Sequence, residues 1–259
     1  MKQIIVLQVA NLLAFVGTVV VNALANALPI NGRNTGEISD LYPNLFVPWG
    51  ATFSIWGVIY LLLLCFALYQ ARPTRGSVDV PPAEKVGWWF VVSCVANVGW
   101  ILAWHYEMVA LSLVIMLVIL ASLLTIYFRL GVGTKAVAKA EKYFVHVPFS
   151  VYLGWITVAT IANVTALLVK LQWNRLGLSE VFWTVAVILI ATGISLAMLW
   201  RHSDFSFAAV VVWAFLGIIM KRVTTDPVPL WPVLATLGVS IVLIGFYGVS
   251  RVRKSLSLR

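Results

Sequence analysis

The sequence predicts an all-α polytopic membrane helical bundle with eight spans and no soluble domain of any size. Hydrophobic residues make up 62% of the chain and charged residues only 10%, too little charge to solvate a water-exposed globule of 259 residues. The apolar residues also fall in runs of roughly 20, the length that crosses about 30 Å of hydrocarbon at 1.5 Å per helical residue. These runs are apolar on both parities, whereas the strands of a membrane barrel alternate apolar and polar positions.

The spans read as residues 4–28, 49–69, 86–104, 108–130, 145–169, 181–200, 205–220 and 230–249. In the first, Lys2, the apolar stretch and Ala23–Ala25 could make a signal peptide. A single lysine before an apolar stretch longer than a usual signal core argues instead for a retained span. The connection 29–48 holds Asn31-Gly32, Asn34-Thr35-Gly36 and Pro43, all turn formers, and reads as a loop and not a helix. The connection 72–85, with Pro73, Gly76, Pro81 and Pro82, is a hydrophilic linker. The seventh span is short, about 24 Å by helical rise, and is the one that could fail to cross. No internal repeat or low-complexity segment is evident.

Topology follows from the basic residues. Eight spans place Lys2, Arg72, Arg75, Lys85, Arg129, Lys135, Lys139, Lys142, Arg201, Arg251, Arg253, Lys254 and Arg259 on one side, and only Arg33, Lys170, Arg175, Lys221 and Arg222 on the other. The positive-inside rule makes the first side cytoplasmic, with both termini on it. The same distribution disposes of nucleic acid as a partner. The net charge of +9 lies between and after the apolar runs, not in a patch interleaved with surface aromatics.

Several function classes lack their residues. No span centre carries Asp, Glu, Lys or Arg, so a charge-coupled pump or carrier has no relay group to use. His105, His146 and His202 are far apart, each at a span end, and read as interfacial residues and not as metal ligands. Cys65 and Cys94 sit inside apolar runs and read as small hydrophobes. No Ser/His/Asp set and no phosphate-binding glycine loop can be assembled, so no metal, no required cofactor and no catalytic residue is assigned.

Aromatic and amide stripes remain. Phe53, Trp56 and Tyr60 are spaced by three and four, which puts them on one helical face after Pro48 and Gly50. Asn97, Trp100 and Trp104 repeat the spacing in the third span, and Tyr152, Trp155, Ala159 and Asn163 do so in the fifth. Trp49, Trp88, Trp89, Trp104, Trp173 and Trp231 lie at span ends and read as an interfacial belt. Trp56 and Trp155 lie deeper. Spacing alone leaves them either pocket-lining or packing residues.

Pro48-Trp49-Gly50…Phe53…Trp56…Tyr60 resembles the second-helix signature of the TspO/MBR family, the tryptophan-rich sensory proteins that include the mitochondrial translocator protein. Asn97-Val-Gly-Trp100 resembles the family's third-helix motif, and Tyr152-Leu-Gly-Trp155…Ala159-Thr160…Asn163 its fifth-helix motif. Val151 stands where the family has proline, with Pro148 three residues earlier, and Ser112 stands near the place of its fourth-helix acid. The motifs cover roughly residues 5–172. They therefore imply a five-helix domain over 1–172 and a three-helix membrane extension over 173–259. The resemblance implies a pocket for porphyrins, haem, sterols or other flat hydrophobic ligands, lined by Phe53, Trp56, Tyr60, Asn97, Trp100, Tyr152, Trp155 and Asn163 and covered by the loop after helix one. The expected protein is a receptor or sensor-like binder of such a ligand within the bilayer. A porphyrin-degrading enzyme and an uncoupled transporter of hydrophobic small molecules are the alternatives. A homodimer is a further partner left open. If the motif boundary is also a structural one, residues 1–172 hold the complete pocket.

Overall fold

The computed structural model describes residues 2–28, 30–72, 80–228 and 230–257. Among them every regular element is helical. The chain opens with α1 (Lys2–Ala27), followed by a lid that contains the short α2 (Thr35–Asp40). A 3₁₀ turn over Gly50–Ser54 leads into α3 (Ile55–Gln70), and α4 (Pro82–Val86) precedes α5 (Trp89–His105) and α6 (Val109–Leu130). The single-turn α7 (Lys139–Glu141) and a π turn over Lys142–His146 lead into α8 (Val147–Lys170). Three more helices follow: α9 (Glu180–His202), α10 (Phe205–Thr225) and α11 (Trp231–Ser257). Pro73, Gly76 and the basic residues Arg75 and Arg259 lie outside the described residues, as does the Lys254 side chain.

Among the described residues, seven helices are long and apolar enough to cross a membrane. α3 reaches this length together with the turn before it, 21 residues over Gly50–Gln70, and α5, with 17 residues or roughly 25 Å of rise, is a further, shorter apolar helix. This is the polytopic helical bundle that the composition predicts. At its centre α8 packs against α3, α6 and α10, while α1 packs on α3 and α5. α10 lies between α8 and the outer pair α9 and α11. Gly154 allows the close approach, since a Cβ there would stand 3.2 Å from the Phe207 carbonyl oxygen and the Val210 side chain.

The first helix meets the bundle through polar groups. Asn11, Thr18 and Asn22 are buried, while most of its aliphatic residues face outward. Asn11 Nδ2 donates to Gln70 Oε1 at 2.9 Å, Thr18 Oγ1 to the Cys94 carbonyl at 3.3 Å, and Asn22 Nδ2 to Asn97 Oδ1 at 2.7 Å. The physics favours this. Apolar helix faces gain little by leaving lipid for one another, so small-residue packing and interhelical hydrogen bonds hold such bundles together.

Four local expectations need correction. Residues 29–48 are not wholly a loop, because α2 forms there. Asn34 Oδ1 accepts the Gly36 and Glu37 amides at 3.0 Å, and Glu37 Oε2 accepts the Asn34 amide at 2.8 Å, a capping box that satisfies the free N–H groups of the first turn. The third span begins at Trp89 and not at Val86, since Gly87, at φ 60°, breaks the helix. The seventh span is not short. α10 runs 21 residues, past Met220, because its two basic residues are paired, Lys221 with Asp40 and Arg222 with Asp226 at 3.1 Å. The histidines sit at helix ends, but His105 and His146 are buried there and not interfacial.

The pairing sorts the charge. On the lid face, Arg33 meets Glu107 at 2.9 Å, Arg175 meets Glu180 at 3.5 Å, and Lys170 donates to the Glu107 carbonyl. Five basic residues there are matched by Glu37, Asp40, Glu107, Glu180 and Asp226, which leaves the net +9 to the segments at the other face. By the positive-inside rule, reporter fusions placed after Lys142 and after Arg259 should both report cytoplasm. An extracytoplasmic signal from either would contradict this orientation.

An aromatic site beneath the lid

The site starts where the lid becomes α3. The Trp49 amide donates to the Gly217 carbonyl of α10 at 3.0 Å, which fixes the entry into the Gly50–Ser54 turn. This turn carries Phe53, and the first residues of α3 carry Trp56 and Tyr60. Trp56 is the hub. Its ring centroid lies 5.6 Å from Tyr60, 6.0 Å from Trp100, 6.0 Å from Tyr152 and 6.3 Å from Trp155, with a stacked geometry to Tyr60 and edge-to-face geometry to Tyr152 and Trp155. Phe53 meets Trp155 edge to face at 5.8 Å. Such pairs contribute about 0.5–1.5 kcal/mol each beyond area burial.

The eight expected site residues therefore converge, in two layers. Phe53, Trp56, Trp100, Trp155 and Asn163 line a cavity that Ser39 and Pro48 close from the lid side. Its volume is about 30 Å³, room for roughly one water molecule. Tyr60, Asn97 and Tyr152 do not line it. Tyr60 stacks on Trp56, and Asn97, which accepts from Asn22, donates to the Tyr152 hydroxyl at 3.2 Å. Asn163 Oδ1 accepts from Trp100 Nε1 at 3.0 Å, and Asn163 Nδ2 donates to Ser112 Oγ at 3.0 Å. Ser112, at the place where the motif comparison expects an acid, thus holds the fifth-helix amide.

Two polar groups of the cluster are left over. Trp155 Nε1 and the Tyr60 hydroxyl are buried with no hydrogen-bond partner. An unmatched buried donor costs about 1–3 kcal/mol, so each is a place where an acceptor would bind favourably.

The belt reading of Trp104 is corrected. Trp104 is 5% exposed, stacks on Trp100 at 6.0 Å, lines the cavity, and donates from Nε1 to the Thr35 carbonyl of the lid at 3.2 Å. Its position at a span end suggested headgroup contact, but the lid covers that end. Trp49, Trp88, Trp89 and Trp231 are exposed, as belt residues are, and Trp173 is half-buried. Sequence reasoning also missed Asn22, Ser39, Val158 and Ala162. The capping box at Asn34 and Glu37 could have revealed the lid helix, but no local pattern reveals which residues it covers.

The lid is anchored from outside by the C-terminal helices. Glu180 of α9 accepts the Leu45 amide at 3.0 Å, Lys221 of α10 pairs with Asp40, and Trp213 Nε1 donates to the Thr52 carbonyl at 3.0 Å. Gly217 lies so close to Thr52 that a Cβ on it would stand 2.1 Å from Thr52 Oγ1. Tyr42 packs on Trp104 at 5.9 Å. Burial, and then the Glu107 carboxylate, push its hydroxyl pKa up while Arg33 opposes them, so Tyr42 stays neutral at physiological pH. Among the described residues no group of three metal-ligating side chains occurs.

Fold and site together define an integral multi-pass membrane protein with an aromatic cluster closed by an anchored lid. The family model described as TSPO-like protein matches residues 8–249, and the chain belongs to that family. The match takes in residues 173–249, so the last three helices fall within the family pattern. Among curated proteins and solved structures, none matches the chain.

Proposed function

We propose that this protein is a membrane receptor or sensor-like protein that binds a tetrapyrrole, or a similarly flat hydrophobic ligand, at the Trp56 cluster. One observation carries the reading: six aromatic rings pack together around Trp56, and two of them, Trp155 and Tyr60, keep a buried Nε1 and a buried hydroxyl without partners. A macrocycle would exchange ring-on-ring contacts for stacking on its own faces, and a carbonyl or carboxylate at its edge would accept from the free N–H or O–H. A cavity of about 30 Å³ cannot take such a ligand as it stands, so binding requires the rings to part and the lid to move.

The test is a binding screen of the purified full chain against porphyrins, haem and sterols. The receptor reading expects saturable binding with no ligand consumed and no flux across proteoliposomes. Depletion with product formation would mark an enzyme, and ligand flux a carrier. Absence of binding by every flat ligand would overturn the proposal.

A further inference from the structure

A second and much larger cavity lies on the other side of α8. α10 packs closely on α8, while α8 and α9 follow one another in the chain but touch only sparsely. Between them runs a groove of about 570 Å³, within the ~300–1,000 Å³ usual for small-molecule sites. Unlike the Trp56 cluster, it is open without any movement. Its walls are aliphatic, with Val164 and Leu168 from α8 and Val187 and Ile190 from α9. Val164 is 39% and Ile190 57% exposed, so the groove opens sideways into what, for spanning helices, is hydrocarbon.

The lid-face end of the groove is polar. Asn44, Gln172, Arg175 and Glu180 gather there beside Trp173 and Trp183, whose rings are 5.0 Å apart. A tryptophan pair at the end of two spans sets this mouth at headgroup depth. Both Glu180 oxygens are engaged, one by the Leu45 amide at 3.0 Å and the other by Arg175 at 3.5 Å. Arg175 is not so engaged. Its guanidinium has five N–H donors, and among the described residues its one side-chain partner is that 3.5 Å contact. Gln172 and Arg175 are held over the mouth in left-handed backbone conformations, at φ 50° and 57°, which cost a non-glycine residue about 1 kcal/mol or more each.

We propose that this groove is a second binding site, for a single-chain amphiphile with an anionic head. A long-chain fatty acid is the occupant that fits, its chain between α8 and α9 and its carboxylate at Arg175. An aliphatic channel open to lipid suits an acyl chain, and a mouth with unspent guanidinium donors beside a saturated carboxylate suits an anion. The site is distinct from the aromatic cluster. Thr160, Ile161 and Val164 line the groove, whereas Val158, Ala159 and Ala162 line the small cavity across the same helix.

Photolabelling tests this, with the full chain in phosphatidylcholine nanodiscs and palmitate carrying a diazirine on its chain as the probe. The expected result is saturable labelling concentrated on α8 and α9 near Val164, Leu168 and Val187. Palmitate should compete roughly two- to fivefold better than its methyl ester, and Arg175→Gln should erase that difference. Val187→Trp fills the groove and should abolish the labelling, with Val164→Phe as a second filler from the facing helix should the first fail to fold. Both should leave porphyrin binding at the Trp56 cluster unchanged, so failure of one site does not count against the other. Labelling spread over all lipid-facing helices, labelling that survives both fillers, or equal competition by acid and ester would overturn the proposal.

Discussion

Truncation after Trp173 should strip hydrogen-exchange protection from the Leu45 and Trp49 amides by about ten- to a hundredfold. Both donate to acceptors beyond the cut, Leu45 to Glu180 and Trp49 to the Gly217 carbonyl. The same deletion removes Lys221 from Asp40 and Trp213 from the Thr52 carbonyl. Lipid can replace α10 as an apolar neighbour of α8 at little cost, but it offers no acceptor to a backbone N–H. The loss should therefore concentrate in the lid, while the α5 and α6 amides keep their protection and report an intact bundle. If Leu45 and Trp49 stay as protected as in the full chain, the lid is held by the first five long helices alone. The motif boundary near residue 172 would then also be a structural one.

Gly133→Ala should lower the thermal midpoint by about 5–10 °C, corresponding to roughly 2–4 kcal/mol. Gly133 lies between α6 and α9 at φ +73°, a left-handed conformation that disfavours a side chain. A Cβ there would stand 1.7 Å from the His202 carbonyl oxygen. That oxygen is backbone and cannot swing aside. The neighbourhood is also pinned by His202 Nδ1, which donates to the Val132 carbonyl at 3.0 Å, and by Tyr127, 5.3 Å from the His202 ring. Gly238→Ala is the control, because nothing lies within 4 Å of a Cβ there and its φ is helical. It should be neutral or stabilising by up to about 1 kcal/mol. Equal midpoints for the two variants would show that the Gly133 turn yields without cost.

The polytopic helical class and the aromatic stripes were legible because each depends on local periodicity. A run of about 20 apolar residues and a spacing of three and four mean the same thing wherever they occur. What escaped depends on residues distant in sequence. Lys221 reads as the end of a span until Asp40, 181 positions away, is seen to pair with it. Trp104 reads as a belt residue until the lid is placed over it. Asn22 looks like an incidental amide in an apolar run, but its partner Asn97 lies 75 positions on. The groove beside α8 could not be read at all, since it depends on how closely two helices consecutive in the chain pack. The lid helix is different. Asn34 and Glu37 stand at capping-box spacing, and the surrounding turn formers concealed it.

The claim on which the account rests is that the Trp56 cluster is a ligand site, and a porphyrin titration followed by tryptophan fluorescence addresses it most directly. A porphyrin seated among these rings quenches them, so binding is read on the site's own residues. Trp56→Leu and Trp155→Leu keep an apolar side chain and lose aromatic contact, which should weaken binding by roughly 2- to 12-fold each. Trp231→Leu, at a residue 70% exposed and outside the cluster, should leave affinity unchanged. Porphyrin affinity equal to the parent's in both cluster variants would contradict the account and reduce the stripes to helix-packing residues.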